Sequence, residues 1–372
     1  MARGGLPSIQ IFSNAQADDA DLDAELASSD SSFSKHSDKE GASDAEWGSV
    51  PRKQEFNCLA GRRRTRLSLS AYDLELSLEY ARLLKVVQLV LTLLRTRKIS
   101  TMRDVYYMDC RLFQSQTKSD RSIELLARCF NTPRYGLNIV SFSRGILCGA
   151  ILLKEKDGQW MHCSSSPVTM PSCMHTIEIN ADNTSAVFVL EKECIFRRLI
   201  NDNFVERQYN GKALLVTACG FPDVQTRMLL NRLSSKYPTL PIYGIADFDP
   251  YGVEIMATYT MGSKSRAHER DVLACPSLRW LGIHSSDIEA YQVPPSLKIP
   301  MTERDNSRVR KMLEREIFAS PVRAFWRHQL QEFLDKGCKY EIEALNAVHH
   351  VGSDPLGYFL FSRILTFYQP VE

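Results

Sequence analysis

Three short runs in this 372-residue chain carry side chains suited to phosphodiester chemistry. The first, Met102-Arg103-Asp104-Val105-Tyr106-Tyr107, sets Arg103 four residues before Tyr107, which puts the two on one helix face. Free tyrosine titrates near 10, so about one molecule in a thousand is phenolate at neutral pH, a deficit of roughly 4 kcal/mol that a nearby cation reduces. Adjacent residues point different ways on a helix, so the pair is ambiguous; the spacing to Arg103 favours Tyr107 as the candidate nucleophile, with Tyr106 packing or supporting. The second run is Val189-Leu190-Glu191-Lys192-Glu193 and the third is Ile245-Ala246-Asp247-Phe248-Asp249-Pro250-Tyr251-Gly252. Glu191, Asp247 and Asp249 are oxygen ligands of the kind Mg²⁺ or Mn²⁺ takes, and Glu193 is a further candidate. Strand alternation sends Asp247 and Asp249 to one side, where they can share one ion or two.

Such ions would neutralise phosphate oxygens and a leaving 3′ oxygen. Tyrosine attack on DNA exchanges one phosphoester for another, so no ATP is needed, and the chain has no GxxxxGK[ST] loop. Each run also has a plainer explanation. Paired tyrosines pack small helical domains, and Asp-Pro-Tyr-Gly is good turn chemistry. Gly220-Phe221-Pro222-Asp223, leading toward Thr226 and Arg227, fits either a phosphate seat at a helix N-terminus or a simple capped start. Arg144, Lys192, Phe221 and Arg227 are candidate DNA contacts, with Lys264 and Arg266 beside them.

The elements that must position these residues follow from periodicity. A long helix is expected over 72–97, its apolar face formed by Leu74, Leu78, Ala81, Leu84, Val87, Leu91 and Leu94. Ser100 or Thr101 caps the tyrosine helix, with Asp104 completing a capping box. A third helix is expected over 122–130. Extended runs at 137–142 and 146–153, joined through Ser143-Arg144-Gly145, predict a hairpin, and helices followed by a hairpin make a winged helix-turn-helix. Beyond residue 177, strands at 186–190, 213–217 and 242–246 alternate with helices at 195–201, 223–237 and 253–260. That alternation predicts an α/β multidomain chain whose second domain has a mainly parallel, Rossmann-like sheet, with ligands beyond the strands' carboxyl ends. A helical region follows from 301. The expected domains are a disordered acidic, Ser-rich leader (1–60), a nucleophile domain (61–170) and a metal-binding domain with helical extension (171–372).

Charge sharpens the expectation. Residues 1–50 hold ten acidic and three basic residues of the chain's 44 and 46, which leaves 34 acids and 43 bases for the remainder. That excess of nine suits a polyanion such as double-stranded DNA. Arg62-Arg63-Arg64-Thr65-Arg66 reads as a nuclear import signal or a phosphate contact. The ten cysteines show no Cys-x-x-Cys pair, which argues against a disulfide framework or structural zinc. The amino terminus lacks the apolar run of a secretory signal, and the longest apolar stretch, 86–94, falls short of the roughly 18 to 20 residues of a membrane span, so an intracellular protein is expected.

With its motifs in order, the chain resembles the meiotic double-strand-break transesterase family, relatives of the archaeal topoisomerase VI cleavage subunit, the one conventionally lettered A. The likeness runs from about Tyr72 onward through Arg103 to Tyr107, Leu137 to Val140 with Arg144 and Gly145, Val189 to Glu193, Gly220 to Asp223 with Thr226 and Arg227, Asp247 to Gly252, and Trp280 to Ile283. The resemblance implies a winged-helix domain bearing the nucleophile Tyr107 with its assisting Arg103. It also implies a Toprim domain whose metal ligands are Glu191, Asp247 and Asp249. It further implies a homodimer that cuts both strands and stays on 5′ ends, B-subunit-like and accessory meiotic partners, and work on chromosomes in the nucleus. The alternatives are a topoisomerase VI type A-subunit that reseals its breaks and a non-catalytic DNA-binding scaffold.

Overall fold

The computed structural model describes residues 8–14, 62–68, 74–155, 158–164, 166–263, 266–347 and 355–368. The stretch 15–49, expected to be disordered, lies outside them. The leader's expected lack of structure does not extend to Ser8–Asn14, a strand that pairs antiparallel with Arg62–Ser68. There Ile9 and Ile11 alternate with Ser8 and Gln10, a period-two pattern that suits a strand. No helix among the described residues is long and apolar enough to cross a membrane. The nine cysteines among them are free thiols.

The chain divides into two compact units, Met1–Phe142 with Ser263–Asp271, and Ser143–Gly262 with Val272–Glu372. In the first, the long helix forms as Leu74–Thr96, but its buried side differs from the expected one. Tyr80, Leu83, Val86, Val90 and Leu93 are buried, each one residue before an expected core position, while Leu74, Leu84, Leu91 and Leu94 are exposed. One residue is about 100° of rotation. The run from Leu83 to Leu94 is apolar on both candidate faces, so periodicity cannot choose between them; packing against Val105, Phe113, Ile123 and Leu126 does. The buried Arg82 ties this helix to the next turn, donating to Leu112 O at 3.0 Å and to Gln114 Oε1 at 3.0 Å. The third helix spans Gln116–Phe130 and ends on left-handed Asn131.

The expected hairpin does not form. Ile139–Val140 pairs in parallel with Ser100–Thr101, and Ile146–Gly149 pairs antiparallel with the Ala213–Thr217 strand. The apolar run at 146–149 gains more burial as a sheet strand than it would as half of an isolated hairpin. Gly149 makes that pairing possible: its φ is +133°, and a Cβ there would stand 2.2 Å from Ala213 O.

The second unit is built on a six-stranded mixed sheet. Its strands run Leu278–Gly282, Ile242–Ile245, Ala186–Leu190, Ala213–Thr217, Ile146–Gly149 and Val168–Thr169; the first four are mutually parallel, and each of the last two pairs antiparallel with the strand before it. The sheet therefore reaches across the division expected at 170/171. Its three central strands are buried at every position, as a sheet covered on both faces requires. The expected helices form as Glu193–Asn201, Val224–Lys236 and Pro250–Met261. The region from 301 is largely helical, with Glu303–Leu313, Ala324–Lys336 and Pro355–Tyr368. Between these last two helices the chain crosses back to the sheet, where Tyr340 and Phe248 exchange backbone hydrogen bonds of 2.9 and 3.0 Å.

Candidate active site

The tyrosine helix spans Met102–Met108 and is fixed at its start by the expected capping box. Asp104 N–H donates to Thr101 Oγ1 at 3.1 Å, and Thr101 N–H donates to Asp104 Oδ2 at 3.0 Å. Met102, Val105 and Tyr106 turn toward the helical core, which leaves Arg103 and Tyr107 outward. Tyr107 is 69% exposed, its ring centroid 5.3 Å from that of Tyr106.

Glu191 and Asp247 follow the neighbouring parallel strands Ala186–Leu190 and Ile242–Ile245, so register alone sets them side by side. Asp247 N–H donates to Glu191 Oε2 at 3.0 Å, and Glu191 N–H continues the ladder to Ile245 O at 3.0 Å. Phe248 turns the other way into the core and stacks on Phe333 at 4.4 Å. Asp249 caps the Pro250–Met261 helix, its Oδ1 accepting from Gly252 N–H at 2.6 Å. Burial pushes the Glu191 carboxyl up to about 8, with repulsion from Asp247 and Asp249 adding to it. Burial also raises Asp247, to about 6, against the opposing hydrogen bonds from Lys192 and Ile342. Asp249 is raised as well, by burial first and by Asp305, against the Gly252 hydrogen bond and Lys339.

This trio is under electrostatic tension, and its oxygen donors are those a hard divalent cation takes. Its chemistry fits Mg²⁺ or Mn²⁺. Among the described residues, however, no three His, Cys, Asp or Glu side chains are arranged to hold an ion. Asp247 already uses both oxygens: Oδ1 accepts from Ile342 N–H at 2.9 Å and Oδ2 pairs with Lys192 Nζ at 2.8 Å. Lys192 also reaches Glu343 at 2.9 Å and Glu341 at 3.2 Å. Burial works against its charge, but the hydrogen bonds to Asp247 and Glu343 prevail and hold the ammonium well above the usual lysine range.

The structure sorts the remaining candidates. Lys192 belongs to the acid cluster rather than to an open surface. Arg227 is 2% exposed, so its guanidinium is not a surface DNA contact in this conformation. Gln225, Thr226, Met228, Leu229 and Leu230 of the same helix are buried with it. Arg144 is exposed and Phe221 half-buried. Glu193 turns away to pair with Arg197 at 2.6 Å. Arg266 pairs with Glu269 at 3.4 Å, and Lys264 lies outside the described residues. The Val224–Lys236 helix has a capped start: Asp223 Oδ1 accepts from Gln225 N–H at 2.9 Å and Thr226 N–H at 3.1 Å, the amides a phosphate would need. Sequence reasoning missed Glu341, Ile342 and Glu343, which approach the acids from roughly a hundred residues downstream. Their one sequence signal is the short acidic pair Glu341 and Glu343 beside an apolar Ile342.

Two family models match the chain. The Toprim domain of the topoisomerase 6 A-subunit/Spo11 family covers residues 186–352, and a type IIB DNA topoisomerase domain covers residues 79–139. Meiotic recombination protein SPO11-1 of Arabidopsis thaliana is 36% identical over 267 residues, 71% of this chain and 72% of that protein. Meiotic recombination protein SPO11 of Mus musculus is 32% identical over 269 residues, 72% of this chain and 67% of its own. The DNA topoisomerase 6 A-subunit of Arabidopsis thaliana is 32% identical over 250 residues, 66% of this chain and 57% of that protein.

Proposed function

Because the chain belongs to the family of SPO11 meiotic recombination proteins and topoisomerase 6 A-subunits, we propose that it is a topoisomerase-like DNA transesterase making the double-strand breaks of meiotic recombination. The observation that carries this reading is the clustering of half-buried Glu191 and Asp249 with buried Asp247 at neighbouring strand ends, in a chain that also presents an exposed tyrosine on a capped helix.

In the reaction, the Tyr107 Oη attacks a backbone phosphorus. The new oxygen–phosphorus bond forms as the bond to the 3′ oxygen breaks; the phenol gives up its proton and the 3′ oxygen gains one. The products are a 5′-phosphotyrosyl link and a free 3′ hydroxyl. Arg103, one helical turn before Tyr107, shares its outward helix face and is the assisting arginine. Glu191, Asp247 and Asp249 would hold Mg²⁺ or Mn²⁺, which supplies positive charge beside the phosphate and the leaving oxygen. The helical unit is read as the DNA-engaging module of winged-helix class, and the excess of nine positive charges outside residues 1–50 favours duplex DNA. The working form is a homodimer in which one protomer's tyrosine meets its partner's acids, assisted by B-subunit-like and accessory proteins on nuclear chromosomes.

The test is to incubate the full chain and its partners with duplex DNA and Mg²⁺, then look for protein on 5′ ends. The wild type leaves such adducts and Tyr107→Phe leaves none. Adducts persisting with Tyr107→Phe would overturn the assignment.

A further inference from the structure

One ammonium serves three carboxylates at this site. Lys192 begins the Glu193–Asn201 helix as its N-cap, so its backbone is fixed directly beside Glu191 at the strand end. Its three N–H donors find Asp247 Oδ2 at 2.8 Å, Glu343 Oε2 at 2.9 Å and Glu341 Oε2 at 3.2 Å. The two glutamates do not float. They flank Ile342, whose N–H holds Asp247 Oδ1, and they follow Tyr340, which is bonded to Phe248 through the backbone. Asp247 is thus gripped on one oxygen by backbone and on the other by a removable charge.

We propose that Lys192 is an internal cation that occupies the Asp247 carboxylate until a divalent ion arrives, and that Glu341 and Glu343 then receive it. The inference rests on the reading of Glu191, Asp247 and Asp249 as the metal ligands and adds the residues that govern loading. A lysine is a compact charge on a flexible stem, so it can release one oxygen while keeping the other two pairs. The exchange then costs one ion pair of three, and the incoming ion relieves the repulsion among the acids. Without the glutamate pair, the displaced ammonium would lose every partner in the cluster. It would stand unpaired beside a divalent ion, which Coulomb repulsion opposes. Lys192 accordingly acts as a positioning residue that sets the ion concentration at which the site loads.

Mn²⁺ binding to the full chain without DNA, followed by calorimetry at fixed pH and salt, tests this independently of cleavage. Lys192→Met should bind Mn²⁺ about tenfold tighter than wild type, because a competing unit charge has gone. The Glu341→Gln, Glu343→Gln double variant should bind several-fold more weakly, since Lys192 has nowhere else to go. Opposite shifts from two variants of one cluster do not arise from misfolding. The triple variant should match Lys192→Met, because the glutamates act through the lysine. Equal affinity in wild type and Lys192→Met would overturn the proposal. So would a glutamine pair that weakens binding by the same factor with or without Lys192, since the glutamates would then act on the ion directly. If neither wild type nor Lys192→Met binds Mn²⁺, the reading of the acids as metal ligands fails and takes this inference with it. If wild type binds and Asp247→Asn does not, that reading stands whatever Lys192 does.

Discussion

The tyrosine helix and the strand-end acids are built on opposite terms. Tyr107 sits on a surface held by local contacts: a reciprocal cap at Thr101 and Asp104, and Tyr106 turned into the core. Its hydroxyl contributes little to folding. The acids are largely withdrawn from solvent and mutually repulsive, and Asp247 leans on a borrowed ammonium, so the sheet that carries them bears the electrostatic load. Function and stability are therefore separable at the first place and opposed at the second, as is common where folds carry chemistry.

The largest expected effect that could break this contrast is Asp247→Asn. It should lower cleavage by about a hundredfold or more, as loss of a metal-site group does. Thermal melting without divalent ions should show the variant unfolding no earlier than wild type, because a repelled buried charge has been removed. A clear loss of stability would place Asp247 among ordinary structural pairs instead.

The second effect is in pH. Glu191 has a folded value of about 8 against an ordinary 4.5, so the native state keeps a proton that the unfolded chain gives up. The stability this contributes is present below 4.5 and lost as pH rises toward 8. His284 has the opposite sign: burial and Arg363 depress it to about 3, so its contribution is lost as pH falls below 6.5. Between pH 6.5 and 8 the acid effect stands alone. Metal-free protein should melt at progressively lower temperature across that window, and Glu191→Gln should flatten the trend. An unchanged slope in the variant would assign the trend to other groups.

The smallest effect sharpens the other side. Thr101→Ala should cost about 1 kcal/mol in urea unfolding, the usual worth of an N-cap, and leave Mn²⁺ binding untouched.

The legibility of the chain follows the same divide. The central strands were readable to within a residue because parallel strands buried on both faces leave unbroken apolar runs such as Ala186–Leu190. Strand-end position then marked Glu191 and Asp247 as candidate ligands, and the parallel pairing of their strands makes them neighbours. The long helix was readable as an element but not as a face, since Leu83 and Leu84, or Val90 and Leu91, are equally apolar and only tertiary packing separates them. The hairpin failed because a local turn signal competed with pairing to residues 213–217, which no local pattern announces. The grip of Ile342 and the glutamates on Asp247 and Lys192 spans 95 to 151 positions, beyond any spacing argument.

Residues Ser263–Asp271 belong to the helical unit although the chain enters them from the Pro250–Met261 helix of the second unit. Within that unit Glu269 Oε1 accepts from Arg134 N–H at 3.1 Å, and Arg266 is the foremost positive charge opposing the burial of Glu124. A recombinant fragment cut after Phe142 would therefore leave Glu124 and Arg134 without that cover. Anyone dissecting this protein into separately expressed halves would need to graft the nine-residue excursion onto the first half and bridge the gap it leaves in the second.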